Sequence, residues 1–139
     1  MILYLLDTNT VSCIVKGKSP AARLRLEKVA LRRDREVAIS AITAGEIFYG
    51  LARIGAGAQR RKAMDAFLSG LTLHPWDHAA AEAYGDLRAR QEVHGKALGP
   101  YDMQIAAHAL ALKAILVSHD RAFRHVTGLS GLEDWANDI

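Results

Sequence analysis

Three short apolar runs, Ile2–Leu6, Val37–Ile39 and Ala114–Val117, each stop on a small polar or acidic residue and pass at once into a helical pattern. The runs have strand length and no polar alternation, as strands covered on both faces do. Leu71–Leu73 is a fourth, weaker candidate. Between them, apolar residues recur at helical spacing over about residues 20–33, 42–55, 59–69, 77–93 and 101–112. Pro20 and Pro100 stand where a first helical turn tolerates proline, and Gly55, Gly57, Gly70 and Gly95 stand where helices are expected to end. Alternating strands and helices specify an α/β fold: three layers, α/β/α, around a short, mostly parallel central sheet.

No repeat, low-complexity tract or linker divides the 139 residues, so residues 1–139 are expected to form a single domain. With half its residues hydrophobic, the chain has the means to bury a core without disulfides or a structural metal. A lone Cys13 fits a reducing cytoplasm. The N-terminus MILYLLDTNT meets Asp7 after five apolar residues without a basic n-region, so it is expected to be a strand rather than a signal peptide or a membrane span. The net charge of +3 is unevenly placed. Residues 1–62 carry twelve Lys and Arg against five acids, net +7, whereas residues 63–139 carry six against ten, net −4. Solvated helix faces account for such runs in general; the functional alternative is a phosphate-facing rim, with the Lys and Arg of residues 16–62 flanking an acidic crevice.

Four acids occupy similar places. Asp7 directly follows the first strand in LLDTNTVS, where it can cap a helix begun by Thr8 and Asn9. Glu46 completes the capping-box pattern Thr43-Ala-Gly-Glu46, with Ile42 and Ile47 as its hydrophobic staple. Asp102, in GPYDMQIAAHAL, lies in the first turn of a helix opened by Pro100, and Asp120, in ILVSHDRAF, can cap a short helix after its strand. Each acid therefore has an ordinary local role. Together they suggest more, because the carboxyl ends of parallel strands share one edge and binding sites gather in the crevice there. Clustered carboxylates repel unless protons or cations neutralise them, and an all-oxygen donor set favours Mg²⁺ or Mn²⁺ over zinc. Such a site suits phosphodiester hydrolysis.

The order and setting of D-T-N (7–9), T-x-x-E (43–46), P-x-D-x-x-I-A-A-x-A (100–109) and V-S-x-D-x-x-F (117–123) resemble those of PIN-domain ribonucleases, and the small size resembles the VapC toxins of bacterial type II toxin–antitoxin modules. The resemblance spans essentially the whole chain. It implies a PIN-like domain and Mg²⁺- or Mn²⁺-dependent endonucleolytic cleavage of RNA. Asp7 and Asp102 would be the principal ligands of a first ion. Glu46 would bind or orient its water, and Asp120 would help hold a second ion. Thr8, Asn9 and Ser118 match positions that orient these acids by hydrogen bonds. The resemblance also implies a homodimer and a cognate antitoxin covering the cleft.

Two other classes compete. Asp7-Thr8-Asn9-Thr10 after a strand resembles the nucleophilic loop of haloacid-dehalogenase-like phosphatases, but Asn9 stands where that mechanism needs its second acid. A non-catalytic PIN-like nucleic-acid-binding module is the other, and the presence of all four acids argues against it. Of the remaining residues, His119 is expected to face solvent and His108 to be packed away from Asp102. Cys13 is expected to be a small buried hydrophobe, and Trp76 and Trp135 to serve the core or an interface.

Overall fold

The computed structural model describes residues 1–95 and 98–137. Its elements run β1 (Ile2–Leu6), α1 (Thr8–Val15), α2 (Pro20–Ala30), β2 (Arg35–Ser40), α3 (Ala41–Arg53), α4 (Ala58–Ser69), β3 (Thr72–His74), α5 (His78–Val93), α6 (Pro100–Leu112), β4 (Ile115–Val117), a 3₁₀ turn (Arg121–His125) and β5 (Gly131–Glu133). The sheet order is β3-β2-β1-β4-β5, and every pairing is parallel. The expectation of a mostly parallel sheet is thus met in full. Strand β3 lies one residue beyond its expected place, and β5 is additional.

Side chains alternate across the strands into two cores. Tyr4 and Leu6, Val37 and Ile39, and Val117 face α1 to α4, joined by Ile14, Ile47, Leu51 and Trp135. Leu5, Ala38 and Leu116 face α5, α6 and Phe123 of the 3₁₀ turn. Burial on both faces explains why these strands read as continuous apolar runs. Leu5 and Leu6, both fully buried, each contribute about 1.5–3 kcal/mol through removal from water. The layers are α/β/α.

Helix starts follow local chemistry. Asp7, Ser19, Asp77 and Asp120 accept backbone N–H groups at the first turns of α1, α2, α5 and the 3₁₀ turn. Helix α3 corrects the sequence reading. Its cap is Ser40, which accepts the Ile42 N–H at 3.1 Å, so Thr43 is already inside the helix and Glu46 caps nothing. Gly57 likewise begins α4 rather than ending a helix, whereas Gly70 closes α4. Among the described residues, no helix is long and apolar enough to cross a membrane.

Candidate active site

The carboxyl ends of β1, β2 and β4 lie side by side, since Leu5 pairs with Ala38 and Leu6 with Val117. Asp7 leaves β1 at this edge and is 3% exposed. Its Oδ1 accepts the Thr10 N–H at 2.8 Å, and its Oδ2 accepts the Ser118 hydroxyl at 2.5 Å. One carboxylate thereby caps α1 and ties the end of β1 to the end of β4. The Ser118 hydroxyl oxygen in turn accepts the Asp120 N–H at 3.0 Å, fixing the loop that presents Asp120.

Glu46 reaches the same edge from the second turn of α3. Its Oε1 accepts the Thr8 hydroxyl at 3.1 Å, and that hydroxyl also lies 3.4 Å from Thr43 Oγ1. The partner of Glu46 is therefore across the crevice, 38 residues away, rather than at its own helix start. Asp102 sits in the first turn of α6, half-buried. Asn9 is exposed on α1 and lines the cleft that extends past Asp120. It has no hydrogen bond to an acid among the described residues, unlike Thr8 and Ser118.

The four acids feel one another. Burial pushes the Asp7 carboxyl above its ordinary 3.8, outweighing the hydrogen bonds from Ser118 and Thr10, and the Asp120 charge adds to the rise. Burial raises Asp102 as well, followed by repulsion from Asp120, Asp7 and Glu46. Glu46 is raised by burial against the help of Thr8, with Asp7 adding repulsion. Asp102 feels the charges of the other three, and Asp7 that of Asp120, so the four carboxyl groups are near enough to influence one another.

The donor set suits a hard cation. All four groups are carboxylates, with no Cys or His among them. Among the described residues no three His, Cys, Asp or Glu side chains close on a single point as a ready ligand cage. A spread arrangement fits Mg²⁺, which keeps several waters and takes only one or two carboxylates directly.

Two clefts adjoin Asp120, of about 650 and 500 Å³, and share His119, Asp134 and Asn137 as a common wall. His119 is exposed, as expected, yet not loose: its Nδ1 lies 2.6 Å from Asp134 Oδ2, which also accepts the Asn137 amide at 2.6 Å. The sequence reading overlooked this contact, since nothing in residues 130–137 marks Asp134 as a partner for the 118–120 loop. Cys13 is half-buried beside Asn9 in the larger cleft, less enclosed than expected. Trp135 is in the core, as expected, with its ring 5.4 Å from that of Tyr4.

The basic residues are placed differently from the sequence expectation. Arg32 and Arg35 both pair with Asp34 before and at the start of β2, the sheet edge opposite Asp7. Of the twelve Lys and Arg in residues 16–62, Lys18 lines the larger cleft, whereas Arg121 and Arg124, from the acidic half, line the smaller.

Comparison with known proteins gives this geometry a family. The PIN domain profile matches residues 4–129. The tRNA(fMet)-specific endonuclease VapC of Salmonella typhimurium is 33% identical over 136 residues, covering 97% of this chain and 99% of that protein. Ribonuclease VapC2 of Rickettsia felis is 31% identical over 135 residues, covering 96% and 98%. Among solved structures, VapBC2 from Rickettsia felis bound to a DNA fragment from its promoter matches with a TM-score of 0.88 at 30% identity, covering 95% of this chain and 98% of that one. DNA-bound VapBC from Salmonella typhimurium matches with a TM-score of 0.87 at 32% identity, covering 97% and 99%. With its strand-end acids, its all-parallel sheet and relatives alike over nearly their full length, the chain belongs to the PIN-domain family and, within it, to the VapC ribonucleases.

Proposed function

We propose that the protein is a Mg²⁺- or Mn²⁺-dependent endoribonuclease, the toxin of a type II toxin–antitoxin pair, acting as one domain over residues 1–139. The observation that carries this reading is the convergence of Asp7, Glu46, Asp102 and Asp120 on one sheet edge, each of the first three held above its ordinary pKa. Asp7 and Asp102 are the principal ligands in this reading, and Asp120 helps hold a second ion. When bound, a divalent cation supplies Lewis acidity toward phosphate oxygens and toward the attacking water. Ser118 fixes Asp7 and the Asp120 loop, and Thr8 holds Glu46 toward the crevice, where its carboxylate orients the water. Asn9 borders the cleft as a neutral hydrogen-bonding side chain for the substrate. A homodimer and a cognate antitoxin complete the proposal, supported by relatives solved as VapBC. A cytoplasmic location accords with the lone Cys13.

The test is cleavage of RNA by the purified protein with Mg²⁺ or Mn²⁺. Cleavage is expected to cease with excess chelator and to return when either ion is restored. Cleavage that persists in chelator sinks the metal dependence, and no cleavage with any ion sinks the nuclease reading. Release of phosphate from small monoesters, with Asp7 phosphorylated, would instead identify a phosphatase.

The RNA backbone is held by Lys18 on one side of Asp120 and by Arg121 and Arg124 on the other. In an Asp102→Asn background, expected to bind without cutting, replacing Arg121 and Arg124 with Ala should flatten the dependence of log affinity on log salt by about 0.7 per lost single-strand phosphate contact. Replacing Arg32 and Arg33 should leave that slope unchanged, and the reverse pattern would move the RNA path to the opposite sheet edge.

A further inference from the structure

His108 lies on α6 six residues beyond Asp102, is 1% exposed, and has no part in the site described above. Its Nδ1 stands 2.7 Å from the Ser40 hydroxyl, which is itself fully buried and caps α3 by accepting the Ile42 N–H. The Ser40 oxygen already accepts the Ile42 N–H, so its own proton is available to Nδ1, and in that arrangement Nδ1 accepts. Burial, with His74 adding repulsion, holds the imidazole below its ordinary 6.5, the direction that keeps it neutral for this arrangement. Trp76 covers the ring edge-on at 5.5 Å.

Apart from this bond, α6 is held among the described residues by apolar packing, most of it against α5. Its buried face is built from Ala106, Ala107 and Ala109, with Met103 and Ile105. Apolar contacts of this kind have no direction, whereas a buried hydrogen bond has a preferred distance and angle. Among the described residues, no other α6 side chain makes a hydrogen bond to another element. The two ends of the His108 contact belong to the elements that carry two of the acids: α6 bears Asp102, and Ser40 starts the helix that bears Glu46.

We propose that His108 is a positioning residue: its hydrogen bond to Ser40 pins α6 in register on the sheet and so fixes Asp102 relative to Glu46 and Asp7. The six residues from Asp102 to His108 span about 9 Å of helix, so a shift at the pin carries directly to the carboxylate. Misplacement of a reacting group by about 1 Å costs about 10²-fold in rate. The proposal rests on the ribonuclease reading above for its kinetic readout and has a second readout independent of it.

The experiment compares the wild-type chain with His108→Leu, His108→Asn and Ser40→Ala, each measured well below its thermal transition. Asn places an amide oxygen near the Nδ1 position and can accept from Ser40, whereas Leu fills the space without a hydrogen bond. His108→Leu is expected to lower kcat by about 10²-fold with KM for RNA little changed. It should also weaken Mn²⁺ binding to the protein alone, measured by calorimetry. His108→Asn should recover most of both, and Ser40→Ala, which leaves the imidazole in place, should reproduce the Leu phenotype should that variant fail to fold. Wild-type kcat and Mn²⁺ affinity in a folded His108→Leu or Ser40→Ala protein overturn the pin. So does an Asn variant as impaired as Leu, which would mean that the ring only fills space. A wild-type chain that binds Mn²⁺ without cutting RNA, and binds it less tightly in the Leu variant, would sink the ribonuclease reading and leave the pin standing.

Discussion

Replacing Asp7 with Asn should abolish most RNA cleavage, by about 10³-fold, while making the protein harder to unfold. The loss follows from position: Asp7 is the most buried of the four acids and the one that joins β1 to β4 through Ser118. Removing one preorganised charge-stabilising group from an active site costs about 10²–10³ in rate. The gain in stability follows from linkage. Asp7, Glu46 and Asp102 all have folded-state pKa values raised above 3.8 or 4.5, so the folded chain binds their protons more tightly than the unfolded chain does. The stability this protonation brings is fully present below the unfolded values and is lost as pH rises through the folded ones. At neutral pH the carboxylates therefore oppose folding, and Asn relieves that while its side-chain oxygen still caps α1 at Thr10. Without divalent cations, Asp7→Asn should raise Tm at pH 7 by about 3 °C. The difference should shrink as pH falls toward 4, and Mn²⁺ should narrow it by stabilising the wild type alone. A variant that cuts RNA like the wild type would remove Asp7 from the mechanism.

Trp135→Ala carries the largest expected cost to stability, about 3–5 kcal/mol. Trp135 is the largest fully buried side chain; it packs on Tyr4 of the central strand and donates its Nε1–H to Glu133 at 2.9 Å. Urea unfolding should report the loss as a lower midpoint. Trp135→Phe keeps most of the packing and forfeits the hydrogen bond, a loss of about 1 kcal/mol. Because Asp134 and Asn137 flank Trp135 and wall both clefts beside Asp120, the Ala variant should also lose RNA affinity before it unfolds. An Ala variant with an unchanged urea midpoint would show that the indole anchors nothing.

Much of this architecture was legible because its strands are covered on both faces. β1, β2 and β4 lie in the middle of the sheet, and central parallel strands leave continuous apolar runs in the sequence. The edges are less visible. β5 is three residues long and opens on Gly131, whose Cα faces Ile115 so closely that a Cβ there would lie 3.3 Å from Ile115 Cγ1. Glycine suits that close approach, yet it weakens any strand signal. The site was legible to the extent that its acids sit at strand ends and first turns. Thr43-x-x-Glu46 misled because a capping box is a local pattern, whereas the hydroxyl that engages Glu46 belongs to Thr8, brought near only by the pairing of β1 with β2. The pairs His119–Asp134 and His108–Ser40 are likewise products of topology, with no spacing that announces them.

The bond from Ser118 to Asp7 spans 111 residues, and that from Thr10 to the Val117 carbonyl spans 107. Both hold the central strand to a strand made near the end of synthesis. A ribosome-bound chain that has not yet released β4 has Asp7 but neither the hydroxyl that binds it nor the Asp120 loop. Contacts so distant in sequence form late, after the cost of closing the long loop between them has been met. Asp7 can therefore reach its folded setting only once β4 and the loop after it have emerged, when the chain is nearly complete.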